Sequence, residues 1–152
     1  MRRPLKGRQM TYDPNNIFAR ILRNELPSER VYEDGLTVAF MDIMPQSDGH
    51  VLVIPREAAE TLLDLSIEGA VACMRTTHRI AAAVKRAFDV PGLMIAQMNG
   101  TVAGQSVPHV HFHVIPRRQG EPMRLHATVK ADPAMLRAQA DRIRQQLQIE
   151  RS

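Results

Sequence analysis

The chain has a single cysteine, Cys73, among 152 residues. That excludes an internal disulfide and fits a reducing, cytoplasmic setting, and Cys73 is expected to pack within a helix. No apolar run approaches the ~20 residues that a bilayer-spanning helix needs, so no membrane association is expected. The first residues are basic but have no hydrophobic segment behind them, which excludes a secretory signal from this reading. Acidic residues are missing from positions 1–9, where Arg2, Arg3, Lys6 and Arg8 carry as much charge as the formal net of +4. The basic excess therefore belongs to a terminal tail, and no nucleic-acid partner is expected. Residues 1–12 are read as that tail, with Met10 a second candidate for the start and residues 1–9 an upstream extension. Internal repeats and low-complexity segments are also absent.

What is present suits one soluble domain over residues 13–150, with 44% hydrophobic and 24% charged residues. Asn15 or Asn16 can cap a short helix carrying Ile17, Phe18, Ile21 and Leu22, closed by Pro27. Val31–Glu33 and Leu36–Met41 flank Asp34-Gly35, a two-residue hairpin signal. Pro45 to Gly49 reads as a turn, and His50 opens the strand Val51–Ile54, whose continuous apolar run predicts cover on both faces. A long helix is expected from about Ser66 to Phe88, with Ile67, Ala70, Val71, Met74, His78, Ala81, Val84 and Phe88 as its buried stripe. His78 is read as structural. After Pro91-Gly92, Leu93–Met98 is expected as a strand running into Asn99-Gly100. Asp132 followed by Pro133 predicts a capped C-terminal helix over about 133–148, with Leu136, Ala140, Ile143 and Leu147 facing inward. His126 receives no role. The fold class is α+β, an antiparallel sheet of about five strands with a long helix and a C-terminal helix packed on it.

Three of the six histidines, His109, His111 and His113, alternate with Val110, Phe112 and Val114. A two-residue period predicts a strand with imidazoles on one face and core on the other, begun at Pro108 and ended at Pro116. Such a row is costly for packing alone, because each ring brings a donor and an acceptor to satisfy. Three readings compete: a solvated face with incidental histidines, a metal site, and a nucleophile with its orienting neighbours. At about 3.3 Å per residue the backbones of His109 and His113 stand roughly 13 Å apart. Since zinc ligands sit about 2.0–2.1 Å from the metal, one ion would need a neighbouring pair plus a distant residue such as His50 or Asp42. An imidazole nucleophile suits the open strand. For Asp42 and Asn99, turn-forming roles compete with functional ones, and the loop from Thr101 to Val107, with Gly100 and Gly104, is small enough for backbone amides to approach an anion.

The stretch Gly104-Gln105-Ser106-Val107 followed by His109-Val110-His111-Phe112-His113-Val114 closely resembles the signature of the histidine triad (HIT) family of nucleotide hydrolases and transferases. Ile17-Phe18 with Ile21, Phe40-Met41-Asp42-Ile43, His50 through Pro55, and Asn99-Gly100 resemble further family landmarks in family order. The resemblance covers about residues 16–117 and is weakest beyond 117.

The resemblance implies an apolar slot for a purine base at Phe18 and Ile21, with Phe40 and Ile43 in the matching landmark, and ribose hydroxyls held by Asp42. It implies substrate phosphate near Asn99, Gly104, Gln105 and Ser106, and His50 beside the triad as a partner or phosphate neighbour. It further implies His111 as a nucleophile attacking the α-phosphorus, with one ring nitrogen pinned by a backbone carbonyl. His113, His50, Ser106 and Asn99 would hold oxygens or help the leaving group, and His109 would orient the strand. Gln105-Ser106-Val107 looks most like the Hint branch, which hydrolyses purine nucleoside phosphoramidates. Val114-Ile115-Pro116-Arg117 is similar to chains nearer the Fhit branch, which splits dinucleoside polyphosphates. A nucleotide-binding regulatory protein with little catalysis is the further alternative. Family members of this kind are homodimers whose sheets join, which is an implication only. Some bind a structural zinc through early cysteines, but Phe18-Ala19 carries none here, so no metal or other cofactor is expected.

Overall fold

The computed structural model describes residues 11–151. Most of the expected basic tail, and with it the candidate start at Met10, lies outside the described residues. Tyr12 does not belong to a tail, because its hydroxyl sits 2.6 Å from Nδ1 of His109.

The chain runs α1 (Ile17–Leu22), β1 (Arg30–Glu33), β2 (Thr37–Met41), β3 (Val51–Pro55), α2 (Ile67–Phe88), β4 (Gly92–Ala96), β5 (Phe112–Arg117) and α3 (Pro133–Ile149). The strands form one antiparallel sheet in the order β1-β2-β3-β5-β4. Strand alternation gives the sheet two different faces. Ala39, Met41, Val51, Val53, Val110, Phe112 and Val114 pack toward α2 and α3. Val38, Phe40, Leu52 and Ile54 point the other way, onto Phe18 and Ile21 of α1. Each such side chain, fully buried, favours folding by about 1.5–3 kcal/mol. No helix among the described residues is long and apolar enough to cross a membrane.

Local chemistry sets the helix ends. Asn16 accepts from the Ala19 amide, Ser66 from that of Gly69 and Asp132 from that of Ala134, the N-cap interactions that short polar side chains make best. Gly49 has φ +87°, and a Cβ there would lie 2.7 Å from the Phe88 ring. Only glycine can take this turn so close to α2, and the turn delivers the next residue, His50, into the interior.

Four expectations need correction. The hairpin after Glu33 does not turn on Asp34-Gly35: the Asp34 amide donates to the Thr37 carbonyl at 3.0 Å around Gly35 and Leu36, Gly35 lacks the positive φ of a type I′ turn, and the Asp34 carboxylate accepts from the amides of Leu36 and Thr37. The buried stripe of α2 runs through Ala72, Cys73, Thr76, Thr77 and Ile80, whereas Ile67, Val71 and Met74 are exposed, as is His78. Thr76 tolerates burial because its hydroxyl bonds that of Thr37 at 2.7 Å. β4 ends at Ala96, before Gln97 and Met98. Pro116 does not end β5: it pairs with Leu93 of β4, beyond the last β3 partner at Val114. On that unpaired side a missing N–H has nothing to donate to.

Candidate active site

Only His113 of the three histidines lies in a regular strand. His109, at a bend, and His111 precede β5 outside the ladder, where Val110 donates to the carbonyl of Ala59 and not to a sheet neighbour. The alternation still holds: Val110, Phe112 and Val114 are in the main core, and the three rings lie on the α1 side. All three are buried, as is His50.

The partners of these rings fix which nitrogen carries the proton. The amide of Gln46 donates to Nδ1 of His50 at 3.0 Å, so a neutral His50 must be protonated at Nε2. That nitrogen is 2.9 Å from Nδ1 of His113, which therefore accepts, leaving His113 protonated at Nε2. Nδ1 of His111 is 2.7 Å from the carbonyl oxygen of His109 and must donate, so Nε2 of His111 bears a free lone pair. His109 donates from Nε2 to the carbonyl of Pro55 at 2.9 Å and accepts the Tyr12 hydroxyl at Nδ1. Buried this deeply, the rings resist charge. Burial, with a lesser contribution from neighbouring imidazoles, pulls His50 and His113 well below the ordinary imidazole range. Burial lowers His109 to about 4 despite its bond to Pro55, and lowers His111 as well. The 3.5 Å approach of Asp42 to His50 is accordingly not an ion pair. Burial raises the Asp42 carboxyl, partly offset by the bond it accepts from the Met44 amide.

A cavity of about 550 Å³ opens over this face, within the range of small-molecule sites. Phe18, Ile21, Phe40 and Ile43 form its apolar wall, and Asp42, Ser106, His111 and His113 line its polar part. The Phe18 ring meets that of His111 edge-on, with centroids 5.0 Å apart. The remaining expected residues stand behind or beside the cavity. His50 and His109 support the rings that face it. Gln105 is buried, with its amide spent on Gly100 N and on the carbonyls of Glu60 and Val107. Asn99 is exposed and bonds the Leu62 amide and Gln97, away from the cavity wall. Gly104 closes the short 3-10 turn Thr101–Ala103 at φ +101°. These residues shape the loop ahead of the triad.

Other contributors escaped sequence reasoning, three of them polar and close to the triad. Tyr12 sits against His109, and His126 and Lys130 line the cavity from the connection between β5 and α3. That connection has no periodicity, and nothing in its spacing marks His126.

A family model described as HIT domain matches residues 23–120. A Hit-like protein from Bartonella henselae, crystallised with an unknown ligand, superposes with a TM-score of 0.86 at 43% identity, over 90% of this chain and 99% of that one. The adenosine 5'-monophosphoramidase HNT1 of Saccharomyces cerevisiae is 39% identical over 108 residues, covering 71% of this chain and 66% of the yeast protein. A zinc-bound histidine triad family protein from Mycobacterium smegmatis has a TM-score of 0.78 at 31% identity, over 90% of this chain and 96% of that one.

That relative holds zinc. Among the described residues, one group of metal-type side chains converges: Asp42, His50 and His113, with donor atoms within 4.8 Å of one another. Two nitrogens on one tetrahedral zinc, each about 2.0–2.1 Å from it, stand roughly 3.3 Å apart. His50 Nε2 and His113 Nδ1 are closer, at 2.9 Å, and share a proton. The arrangement fits a hydrogen-bonded relay, and the rings would have to part to hold zinc.

Proposed function

The chain belongs to the HIT family, and on that premise we propose that it is a nucleotide hydrolase working through a covalent nucleotidyl-histidine on His111. The observation that carries this reading is the pinning of His111. Its Nδ1–H is held by the His109 carbonyl, so a neutral, unprotonated Nε2 is the nucleophile a phosphorus atom in the cavity would meet.

The substrate we assign is a purine nucleoside phosphoramidate, with aminoacyl adenylates as close chemical relatives. The phosphoramidase activity named for the yeast relative supports this class. Phe18, Ile21, Phe40 and Ile43 offer a flat base an apolar wall. Asp42 offers a carboxylate oxygen to ribose hydroxyls, a charge-assisted bond of the stronger kind.

In the first step Nε2 of His111 bonds to the α-phosphorus and the phosphorus–nitrogen bond to the leaving amine breaks. The departing nitrogen takes up a proton from solvent beside Ser106. As the His111 ring gains positive charge, its bond to the His109 carbonyl strengthens, so that contact favours the transition state over the ground state. The Nε2–H of His113 faces the phosphoryl oxygens. Water then cleaves the phosphorus–Nε2 bond, releasing the nucleoside monophosphate and a proton and restoring His111. The triad uses no metal in this scheme.

A homodimer belongs to the same proposal. Ile67, Val71 and Met74 form an exposed apolar stripe on α2, and β4 ends the sheet with Ile95 exposed. An exposed apolar stripe and an open strand edge each suit burial against a second copy. The substrate class is tested with adenosine phosphoramidate, an aminoacyl adenylate and a diadenosine polyphosphate compared by kcat/KM. The phosphoramidate should lead, and preference for the polyphosphate would move the assignment to the Fhit-like branch.

A further inference from the structure

The connection from β5 to α3 folds back across the cavity as a strap. Before the crossing, the Arg124 amide donates to the carbonyl of Gln46 at 2.8 Å and the Arg124 guanidinium pairs with Asp48 at 2.9 Å. After it, the Ala131 amide donates to the carbonyl of Ile43 at 2.9 Å. Both anchors lie on the connection between β2 and β3, the same segment that carries Asp42 and delivers the Gln46 amide to His50. Between the anchors, Ala127 takes φ +52°, a left-handed conformation that costs a non-glycine residue and persists where surroundings impose it. The residue before it, His126, is turned inward.

His126 Nε2 lies 3.1 Å from Oγ of Ser106, on the loop that leads into the triad. Its ring stands edge-on to that of His113, with centroids 5.6 Å apart and planes at 73°. Two ring nitrogens of this pair, His126 Nδ1 and His113 Nε2, are buried and have no hydrogen-bond partner. The relay from Gln46 through His50 makes His113 Nε2 a donor. The Ser106 hydroxyl can donate to His126 Nε2, and in that tautomer His126 Nδ1 carries the proton and is a donor too. Native interiors seldom leave such groups unpaired, and both residues line the cavity that His111 faces. Two unspent N–H groups beside a free imidazole lone pair are complementary to an atom with several acceptor oxygens around an electrophilic centre.

We infer that His126 is a fourth imidazole of the site, binding a phosphoryl oxygen of the nucleotide through Nδ1–H opposite the Nε2–H of His113. This rests on the nucleotide reading given above and adds a phosphate-binding residue to it. The strap thereby closes the polar part of the cavity over the phosphorus, while the apolar wall on α1 and β2 takes the nucleoside.

Titration calorimetry with AMP and with adenosine separates the two parts of the ligand. The wild type should bind AMP more tightly than adenosine. His126→Leu should lose about 10- to 100-fold of that AMP advantage, the scale of one hydrogen bond to a charged group. It should keep adenosine affinity within about twofold and an unchanged Tm. His126→Asn, whose side-chain N–H can stand near the place of Nδ1–H, should retain most of the advantage, which a merely structural role would not produce. An AMP-to-adenosine ratio unchanged in His126→Leu overturns the inference and leaves the nucleotide reading intact. Equal loss of both ligands, with no rescue by asparagine, also overturns it. A wild type that binds neither ligand overturns both.

Discussion

Nε2 of His50 stands 2.9 Å from Nδ1 of His113, and neither ring touches solvent to any useful extent. The Gln46 amide on the far side of His50 leaves this pair one neutral arrangement, with the His113 proton on Nε2. His50→Ala should free His113 to sample both tautomers, visible in the ¹⁵N shifts of its ring. Loss of the aimed donor should lower kcat by about 10-fold or more, the scale of one hydrogen bond to a charged group. A single Nε2-protonated His113 in the variant, with wild-type kcat, would refute the relay.

Burial lowers the His111 pKa, so the ring stays neutral to lower pH than an ordinary imidazole. The acid limb of kcat/KM for the free enzyme should therefore fall below pH ~6.5, the unperturbed imidazole value. Stability follows the same sign. The folded state holds His109 at about 4, while the unfolded chain takes up a proton near ~6.5. The contribution is complete above ~6.5 and is lost as pH falls toward the folded value, at up to about 1.4 kcal/mol per pH unit for each such ring. Asp42, with its carboxyl raised by burial, acts in the opposite direction: its stabilising contribution is present at low pH and is lost as pH rises through its folded pKa. Denaturant melts at pH 5 and 7 should show the wild type weaker at pH 5, with His109→Gln flattening the dependence. A wild type equally stable at both would contradict it.

Because His50 and His113 are joined by a proton, removing metal should not touch catalysis. Dialysis against a strong chelator should leave kcat and KM unchanged. Activity that disappears and returns only with added zinc would show that the rings part to hold an ion.

The exposed stripe of α2 gives the proposed dimer its test. Val71→Glu combined with Met74→Glu places two charges on that face and should shift the light-scattering mass from dimer to monomer without lowering the Tm of the monomer. An unchanged mass would place any interface elsewhere.

That stripe also shows where sequence reading misled. Ile67, Val71 and Met74 have the spacing of a core face, and Thr76 and Thr77 look like solvent residues. For Thr76 the reverse holds because Thr37 supplies a buried hydroxyl partner from β2, a long-range fact with no local signature. The caps at Asn16 and Asp132 and the strand alternation were legible, because short polar side chains and apolar periodicity act locally. The triad was legible for the same reason: its two-residue period survives even where the ladder does not. Asn99 has a turn role from its place at a strand end and a phosphate contact only by resemblance, and its side-chain amide bonds Leu62 and Gln97. His126 left no trace, since a strap is positioned by anchors at Ile43 and Gln46 some 80 residues away in sequence.

The central claim is that Nε2 of His111 forms a bond to phosphorus. Rapid quench of the enzyme with adenosine phosphoramidate, followed by mass spectrometry of peptides, tests it most directly. The account predicts an adenylyl group on the peptide carrying His111, absent in His111→Gly, with turnover in that variant down by at least about 100-fold, a loss of about 3 kcal/mol. Turnover near the wild-type rate in His111→Gly, or an adduct on another residue, would contradict it.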